Sequence, residues 1–306
     1  MSESTDHEAT EIFAAHRELL FSIVYNMLGS VADTEDVLQD TWLAWVGRNR
    51  PGAEEITSPR AYLVRIAVNH ALSRRTLESR RRETYVGPWL PEPLVSDLPE
   101  VRDSADAADP TLRAETVSLA MLVVLENLTP LERVVFVLHD VFGYPHAEIG
   151  EILARETPAI RQIAHRARSH VHARRPRYQA DPQVQRAVTE KFLAAQVGGD
   201  VTALLELLAP DATFWSDGGG KSRAALRPVH GADKIVRLIT SPMVIATVPD
   251  IGIEYRWVNG DPSAVVLSGD SPYAVVVLDI DPDTELVRGI YAVRNPDKLS
   301  HIDPIN

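Results

Sequence analysis

Apolar residues recur along the first eighty positions at helical spacing. Ile12, Phe13, His16, Leu19, Leu20, Ile23, Val24 and Met27 form one broad face, which predicts a helix from about Thr10 to Leu28 that Gly29 ends. Ser30 can cap a second helix, VADTEDVLQDTWLAWV, whose early acids complement the helix dipole. There Val37, Leu38, Trp42 and Trp45 point inward, while Asp36, Gln39, Asp40 and Leu43 make a mixed acidic and apolar strip. Ser58-Pro59 starts a third helix, Arg60 to Leu77, with Ala61, Leu63, Ile66, Ala67 and His70 on one side and Arg65, Asn69 and Ser73 elsewhere. It runs into a basic cluster, Arg74, Arg75, Arg80, Arg81 and Arg82.

A second patterned region spans Leu128 to Val171. Ala147, Ile149, Gly150 and Leu153 predict a short helix, and Ala154 to Glu156 a three-residue turn. Thr157 can then accept a bond from an orphan N–H at the next helix start, with Pro158 at its first position. Ile160, Ala164, Ala167 and Val171 give this helix an inner stripe, and Arg161, Gln162, His165, Arg166 and Arg168 lie opposite. The pattern reads as a helix-turn-helix with a groove-entering second helix. The plainer alternative is a helical hairpin with a solvated basic face.

From Tyr178 arginine thins and glycine, valine and aspartate rise. Helices are predicted over about Pro182 to Gln196 and Val201 to Leu208, then a short one in GADKIVRLI. Four strand-like runs follow: Ile251 to Val258, Ser263 to Leu267, Tyr273 to Ile280 and Leu286 to Val293. Helices followed by a meander of strands describe an α+β domain whose curved sheet wraps on helices.

The 306 residues allow two or three domains with real cores. With no cysteine, disulfides and thiolate chemistry are excluded, and no metal site or cofactor is expected. No apolar run approaches the roughly 20 residues that cross a bilayer, and the opening MSESTDHEAT lacks the parts of a signal peptide, so a cytoplasmic location away from membranes is expected. The net charge of −12 conceals two basic windows, Arg60 to Arg82 and Arg155 to Arg177, each with seven arginines and one acid. Such windows are the electrostatic footprint of phosphate binding.

The combination ADTEDVLQDTWLAW, SPRAYLVRIAVNHALSRR and LTPLERVVFVLHDVFGYPHAEIGEIL with TPAIRQIAHRAR resembles bacterial RNA polymerase sigma factors of the extracytoplasmic-function type. The resemblance implies that Asp36, Gln39, Asp40 and Leu43 dock on the clamp helices of the largest subunit of core RNA polymerase. It implies that Arg65, Asn69, Arg74 and Arg75 hold the melted −10 promoter element. Thr157, Arg161, Gln162, His165, Arg166 and Arg168 would read or grip the −35 element as duplex. Ile163 stands where many relatives carry a basic residue, which implies fewer phosphate contacts there or an apolar contact to a thymine methyl.

Between the two helical regions lies Glu83 to Arg113, with prolines at Pro88, Pro91, Pro93 and Pro99 and a run of acids, which reads as an extended, semi-rigid linker. Tyr85, Trp89 and Leu90 are large apolar groups that a simple tether would avoid exposing, so they dock either on the protein itself or on a partner. The resemblance adds that such a linker threads a polymerase channel, and that it belongs to a SigJ-like subgroup with a SnoaL-like, cone-shaped C-terminal extension. That part rests on LLELLAPDATFWSDGGGK and the terminal NPDKL. The expected fold is therefore two all-α sigma domains, the second a helix-turn-helix, plus an α+β SnoaL-like domain. The expected division is 1–84, a linker over 85–114, 115–177 and 178–306.

Two motifs in the extension are candidate regulatory elements. Asp217, Gly218, Gly219, Gly220 and Lys221 suggest a mobile docking loop, or simply a permissive turn. With Asn295, Pro296, Asp297, Lys298, Leu299 and the linker's Trp89 they are expected to dock the extension intramolecularly on the linker and the promoter-binding domains, holding them so that they cannot grip the −10 and −35 elements together. A small-molecule ligand of the extension stays open. Asp217, His230, Tyr255 and Tyr273 are its polar candidates for chemistry, but no spacing ties them into a base and donor pair, so no enzyme is expected. The alternative is a helix-turn-helix regulator with a ligand-binding or enzymatic cone domain.

Overall fold

The computed structural model describes residues 2–48, 56–82, 84–97, 117–172, 180–242 and 250–303. They divide into two compact units, and the division differs from the expected one. Residues 84–97 and 118–123 group with the C-terminal domain, while the described residues of 2–81, residue 117 and 124–172 form the other unit.

In the first unit α1 (Ser2–Leu28) and α2 (Val31–Arg48) form a hairpin and α3 (Pro59–Arg82) packs beside them. The expected caps form: Ser30 Oγ accepts from the Asp33 N–H at 3.3 Å, and Ser58 Oγ from the Ala61 N–H at 3.4 Å. Trp45 is buried and donates its indole N–H to the Ala9 carbonyl at 2.9 Å, which ties α2 to an α1 that begins eight residues before the expected start. The inner stripe of α3 differs from the expected one. Leu63, Val64, Ala67, Val68 and Ala71 are buried, and Ala61 is exposed. Spacings of one, three, one and three keep those five on one side of a 3.6-residue helix, whereas Ala61 falls outside that arc.

Next come α4 (Leu119–Leu125), α5 (Pro130–Phe136) and a π-helical turn, Val137–Val141. Thr129 and Glu132 close a capping box at the start of α5. Then α6 (His146–Leu153) and α7 (Thr157–His172) form the helix-turn-helix. Glu126 joins the two helical parts of this unit, pairing with Arg75 at 2.7 Å and with Arg133, which also donates to the Asn26 carbonyl at 2.9 Å.

In the second unit α8 (Pro182–Gly198), α9 (Val201–Leu207) and α10 (Ala232–Ile239) accompany a seven-stranded sheet in the order β1-β4-β5-β6-β7-β2-β3. The strands are β1 (Val95–Ser96), β2 (Leu208–Asp217), β3 (Val229–His230), β4 (Ile251–Val258), β5 (Asp261–Ser268), β6 (Ser271–Ile280) and β7 (Val287–Val293). All pairs are antiparallel except β2 with β7. The four expected strands form within two residues of their predicted limits; β2 was not expected as a strand.

The sheet is buried on both faces, and period-two alternation sorts its residues between them. Ala264, Val276, Leu278 and Ile290 join Phe192, Leu204 and Ile235 of the helices in one core. Val265, Val275, Val277, Tyr291 and Val293 point the other way, into a core completed by Leu90 of the linker, Leu119, and Leu299 and Ile302 near the C-terminus. The linker thus supplies the missing cover of one sheet face. It also pairs as β1 along β4, Val95 opposite Val258, which satisfies an edge strand's backbone groups.

Candidate nucleic-acid interface and linker clasp

The helix-turn-helix is made by backbone geometry at two residues. Ala154 ends α6 in the left-handed conformation, φ 50°, and a Cβ on Gly150 would stand 2.6 Å from the Arg155 carbonyl oxygen. Only glycine lets the chain fold back this closely. The Glu156 carbonyl then takes the first bond of α7, from the Ile160 N–H at 3.2 Å. Thr157 and Pro158 are therefore its first and second residues, one position later than expected. Both placements suit Pro158, whose missing N–H would have no intrahelical partner.

Arg161, Gln162, His165 and Arg166 are exposed on α7, Thr157 and Arg168 are half-buried, and Ile160, Ile163, Ala164, Ala167 and Val171 face the core. Ile163 is only 5% exposed and extends the core stripe by one position, a placement that fits the reading of fewer phosphate contacts and not that of an apolar contact to a thymine methyl. Two of the cations are steadied from behind. Arg168 pairs with Asp140 at 2.6 Å and Arg166 with Glu132 at 3.4 Å. Burial pushes the Glu132 carboxyl up, but hydrogen bonds from Thr129 and from Arg166 outweigh it and hold the carboxyl below its usual range.

In the α1–α3 part, Asp36, Gln39, Asp40 and Leu43 all face solvent, with Leu43 61% exposed in spite of its apolar side chain. Arg65 and Asn69 are exposed one turn apart on α3. Asn69 turns its amide back to the Arg65 carbonyl at 2.8 Å, and also reaches the Ile152 carbonyl at 3.4 Å. Arg74 is held by Asp33 and Asp36, each at 2.6 Å, so one expected DNA contact is paired with one expected polymerase contact. Arg75 does not face DNA in this arrangement: it is buried on Glu126. Arg80, Arg81 and Arg82 have side chains outside the described residues.

The second site lies in the C-terminal unit and is built around Asp217, the last residue of β2 and fully buried. Its carboxylate accepts the Tyr85 hydroxyl at 2.6 Å, the Leu90 N–H at 2.9 Å, the Gly219 N–H at 3.0 Å and the Lys298 ammonium at 2.7 Å. Lys298 also donates to the Leu90 carbonyl and lies 4.1 Å from the centre of the Trp89 ring. Asn295 donates to the Tyr85 oxygen at 2.9 Å. Burial, with the Asp217 carboxylate beside it, pushes the Tyr85 phenol up, so it stays protonated and keeps donating.

These bonds decide between the two readings of the linker aromatics: Tyr85, Trp89 and Leu90 dock on the protein itself. The glycine motif takes the form of its second reading, a turn. It is a closed turn, with the Lys221 and Ser222 N–H groups both bonded to the Gly218 carbonyl. Gly219 has φ 58°, and the place of its missing Cβ is filled by the Asn295 side chain at 2.4 Å. Lys221 and Asp297 join the two motifs at the surface, 2.6 Å apart. Pro99 and most of the linker's acids lie outside the described residues.

His301 fastens the same linker further on and is a contact no sequence signal marked. Its ring nitrogens lie 2.9 Å from the Pro93 carbonyl and 3.3 Å from the Glu92 carboxylate. The hydrogen bond to Glu92 raises its pKa above 6.5, against the opposing effect of burial. A raised folded-state pKa stabilises below the unfolded value and is lost as pH rises through the folded one. Amide exchange over residues 84–97 is therefore expected to quicken as pH rises past the ordinary histidine range and through the raised folded-state pKa, after correction for intrinsic rates, and His301→Gln to flatten that dependence.

Of the polar groups considered for chemistry, Tyr273 lines the apolar cavity of this domain. Asp217 is not among its lining residues; His230 bonds Thr213 at 3.0 Å on β2, and Tyr255 lies at a separate, smaller depression. They do not meet in one place. Among the described residues no group of three metal-ligating side chains occurs, and no helix is long and apolar enough to cross a membrane.

A helix-turn-helix whose second helix presents an exposed basic face is the form of a DNA-binding protein. The model for Sigma-70 region 2 matches residues 12–81 and that for Sigma-70, region 4, matches residues 118–171. The ECF RNA polymerase sigma factor SigJ of Mycobacterium tuberculosis is 37% identical over 94% of this chain and 92% of its own. SigG of the same species, also an ECF RNA polymerase sigma factor, is 31% identical over 89% of this chain and 78% of its own. The crystal structure of the M. tuberculosis extracytoplasmic function sigma factor SigJ has a TM-score of 0.69 at 34% identity, covering 95% of this chain and 98% of that one. The chain belongs to the extracytoplasmic-function RNA polymerase sigma factors, and its SigJ-like architecture is two sigma domains followed by a SnoaL-like α+β domain.

Proposed function

We propose that this sigma factor grips promoters through two surfaces whose use is set by the linker clasp. Directing RNA polymerase to promoters is the work of its family; the residue roles are our reading. Asp36, Gln39, Asp40 and Leu43 dock on the basic clamp helices of core polymerase, where complementary charge speeds encounter and Leu43 gains burial. Arg65 and Asn69 take the melted −10 strand, and Arg74 joins them when polymerase draws Asp36 away. Arg75 supports the fold beneath them. Arg161, Gln162 and His165 reach base edges of the −35 element while Thr157, Arg166 and Arg168 hold its phosphates. Work with polymerase and promoter DNA places the protein in the cytoplasm.

The observation that carries the control reading is the buried Asp217–Lys298 pair closing on the Leu90 backbone. While Tyr85, Trp89 and Leu90 are held there, the linker is not available to thread a polymerase channel. The C-terminal domain then acts by population shift, favouring a linker-bound state that polymerase must overcome.

Transcription by the full chain with core polymerase tests both parts. Arg161→Ala is expected to lower initiation about tenfold on templates with an intact −35 element, one base contact being worth about 1–3 kcal/mol. It should leave core affinity unchanged, and an equal loss on templates with a scrambled −35 element would refute the assignment. Asp217→Asn is expected to speed amide exchange over residues 84–97 and raise initiation. Faster exchange with unchanged or lower initiation would sink the control reading while leaving the promoter contacts standing.

A further inference from the structure

The C-terminal domain contains a cavity of about 280 Å³ between α8, α10 and the helix-covered face of the sheet. Its walls are mainly apolar, with Phe192, Phe214 and Ile290 among them, and it opens past Val197 and Ile251, both exposed. The polar side chains lining it are few: Ser216, Gln196, Tyr273, Arg223 and Arg294. No acid is among the described lining residues, although two arginines are.

Arg294 is the unusual member. Its guanidinium lies 4.5 Å from the centre of the Tyr273 ring and donates to the Tyr273 oxygen, while its buried Nε has no hydrogen-bond partner among the described residues. Burial pulls its pKa down, and no carboxylate offsets that effect. Arg294 is only half-buried, and what sets it apart is that no carboxylate pairs with it among the described residues, whereas the buried Arg75 and Arg133 share Glu126 and Arg256 pairs with Asp97 at 2.7 Å. A cation in an apolar wall is costly unless it is paired, so the exception marks the place of a missing anion.

We propose that this cavity is a binding site for a small apolar molecule bearing one anionic group, with Arg294 as its counter-charge and Tyr273 holding the guanidinium in place. The aliphatic and aromatic walls take the body of the molecule, and its carboxylate or equivalent group meets the Arg294 guanidinium. Arg223, exposed beside the mouth, adds positive potential that draws an anion inward. Among the described lining residues none is an aspartate, glutamate or histidine, so the proposal is one of binding and not of turnover. It is independent of the clasp and survives if the control reading fails.

Calorimetric titration of the full chain with decanoate and 2-naphthoate, each beside its uncharged amide, tests this. At least one carboxylate is expected to bind about tenfold or more tighter than its amide, the range for a hydrogen-bonded charge. Arg294→Met should erase that preference while leaving the amide's weaker binding. Ile253→Trp, which fills the cavity from its wall, should abolish binding of both forms. Equal binding of acid and amide, no binding of either acid, or binding untouched by Ile253→Trp would each overturn the proposal. The comparison of acid with amide needs no variant, so a folding defect in either substitution leaves it decisive.

Discussion

Asp217→Ala is expected to destabilise the C-terminal unit by about 3–5 kcal/mol, the range for removing one partner of a buried ion pair. The carboxylate it deletes is fully buried and accepts four hydrogen bonds. Alanine leaves the Lys298 ammonium without that carboxylate, and the Tyr85 hydroxyl and the Leu90 and Gly219 N–H groups without their acceptor. Each such loss exceeds the net value of the bond when made, because water cannot replace the acceptor. Hydrogen exchange resolved by segment checks the prediction. Protection should fall over residues 84–97, the end of β2 and residues 295–303, and much less over α5 to α7. The neighbouring Lys221–Asp297 pair provides the contrast, since both side chains are more than half exposed and Lys221→Ala should change stability little. A loss under about 1 kcal/mol for Asp217→Ala would show that Lys298 finds another partner and that the clasp is not held by charge.

Glu126→Ala should have an effect of similar size in the helical unit, again about 3–5 kcal/mol. One carboxylate there serves two buried guanidinium groups, Arg75 from α3 and Arg133 from α5, the latter 1% exposed. With the acid gone, the two cations face each other's charge in a dry site. Arg133 keeps its hydrogen bond to the neutral Asn26 carbonyl. Denaturant titration of the variant checks the loss. The double variant Arg75→Met/Glu126→Ala should recover a substantial part of it, because removing a cation together with its counter-ion avoids the uncompensated charge. Additive losses in the double variant would refute a shared ion pair as the cause.

Elements were legible in the sequence wherever one side of a segment is apolar and the other polar. The helix-turn-helix was readable on those terms, since Ile160, Ala164, Ala167 and Val171 mark an inside and Arg161, Gln162, His165 and Arg166 an outside. Periodicity was less able to place residues at the edge of a stripe. Ile163 lies next to Ala164 and is carried into the core by the packing of α5 on α7, which the helix's own pattern does not contain. Ala61 and Val64 exchange places on α3 for the same reason. Strand β2 was missed because Pro210 and Asp211 interrupt its alternation, and the register shift between Leu208 and Thr213 absorbs them.

By itself the sequence determined the kinds of element, the separation of basic from acidic surfaces and, by resemblance, the family. It also marked the linker aromatics, the glycine motif and the terminal NPDKL as features seeking a partner. Tertiary structure alone decided that they are one another's partners. Tyr85 and Asp217 are 132 residues apart, and Lys298 reaches Leu90 across 208, so no local propensity bears on either contact. The sheet has two apolar faces: α8, α9 and α10 cover one, and the linker, the start of α4 and residues near 299–302 cover the other. Covering the second with linker brings Asp217 out of water, and a buried carboxylate is stable only where donors from distant segments converge on it.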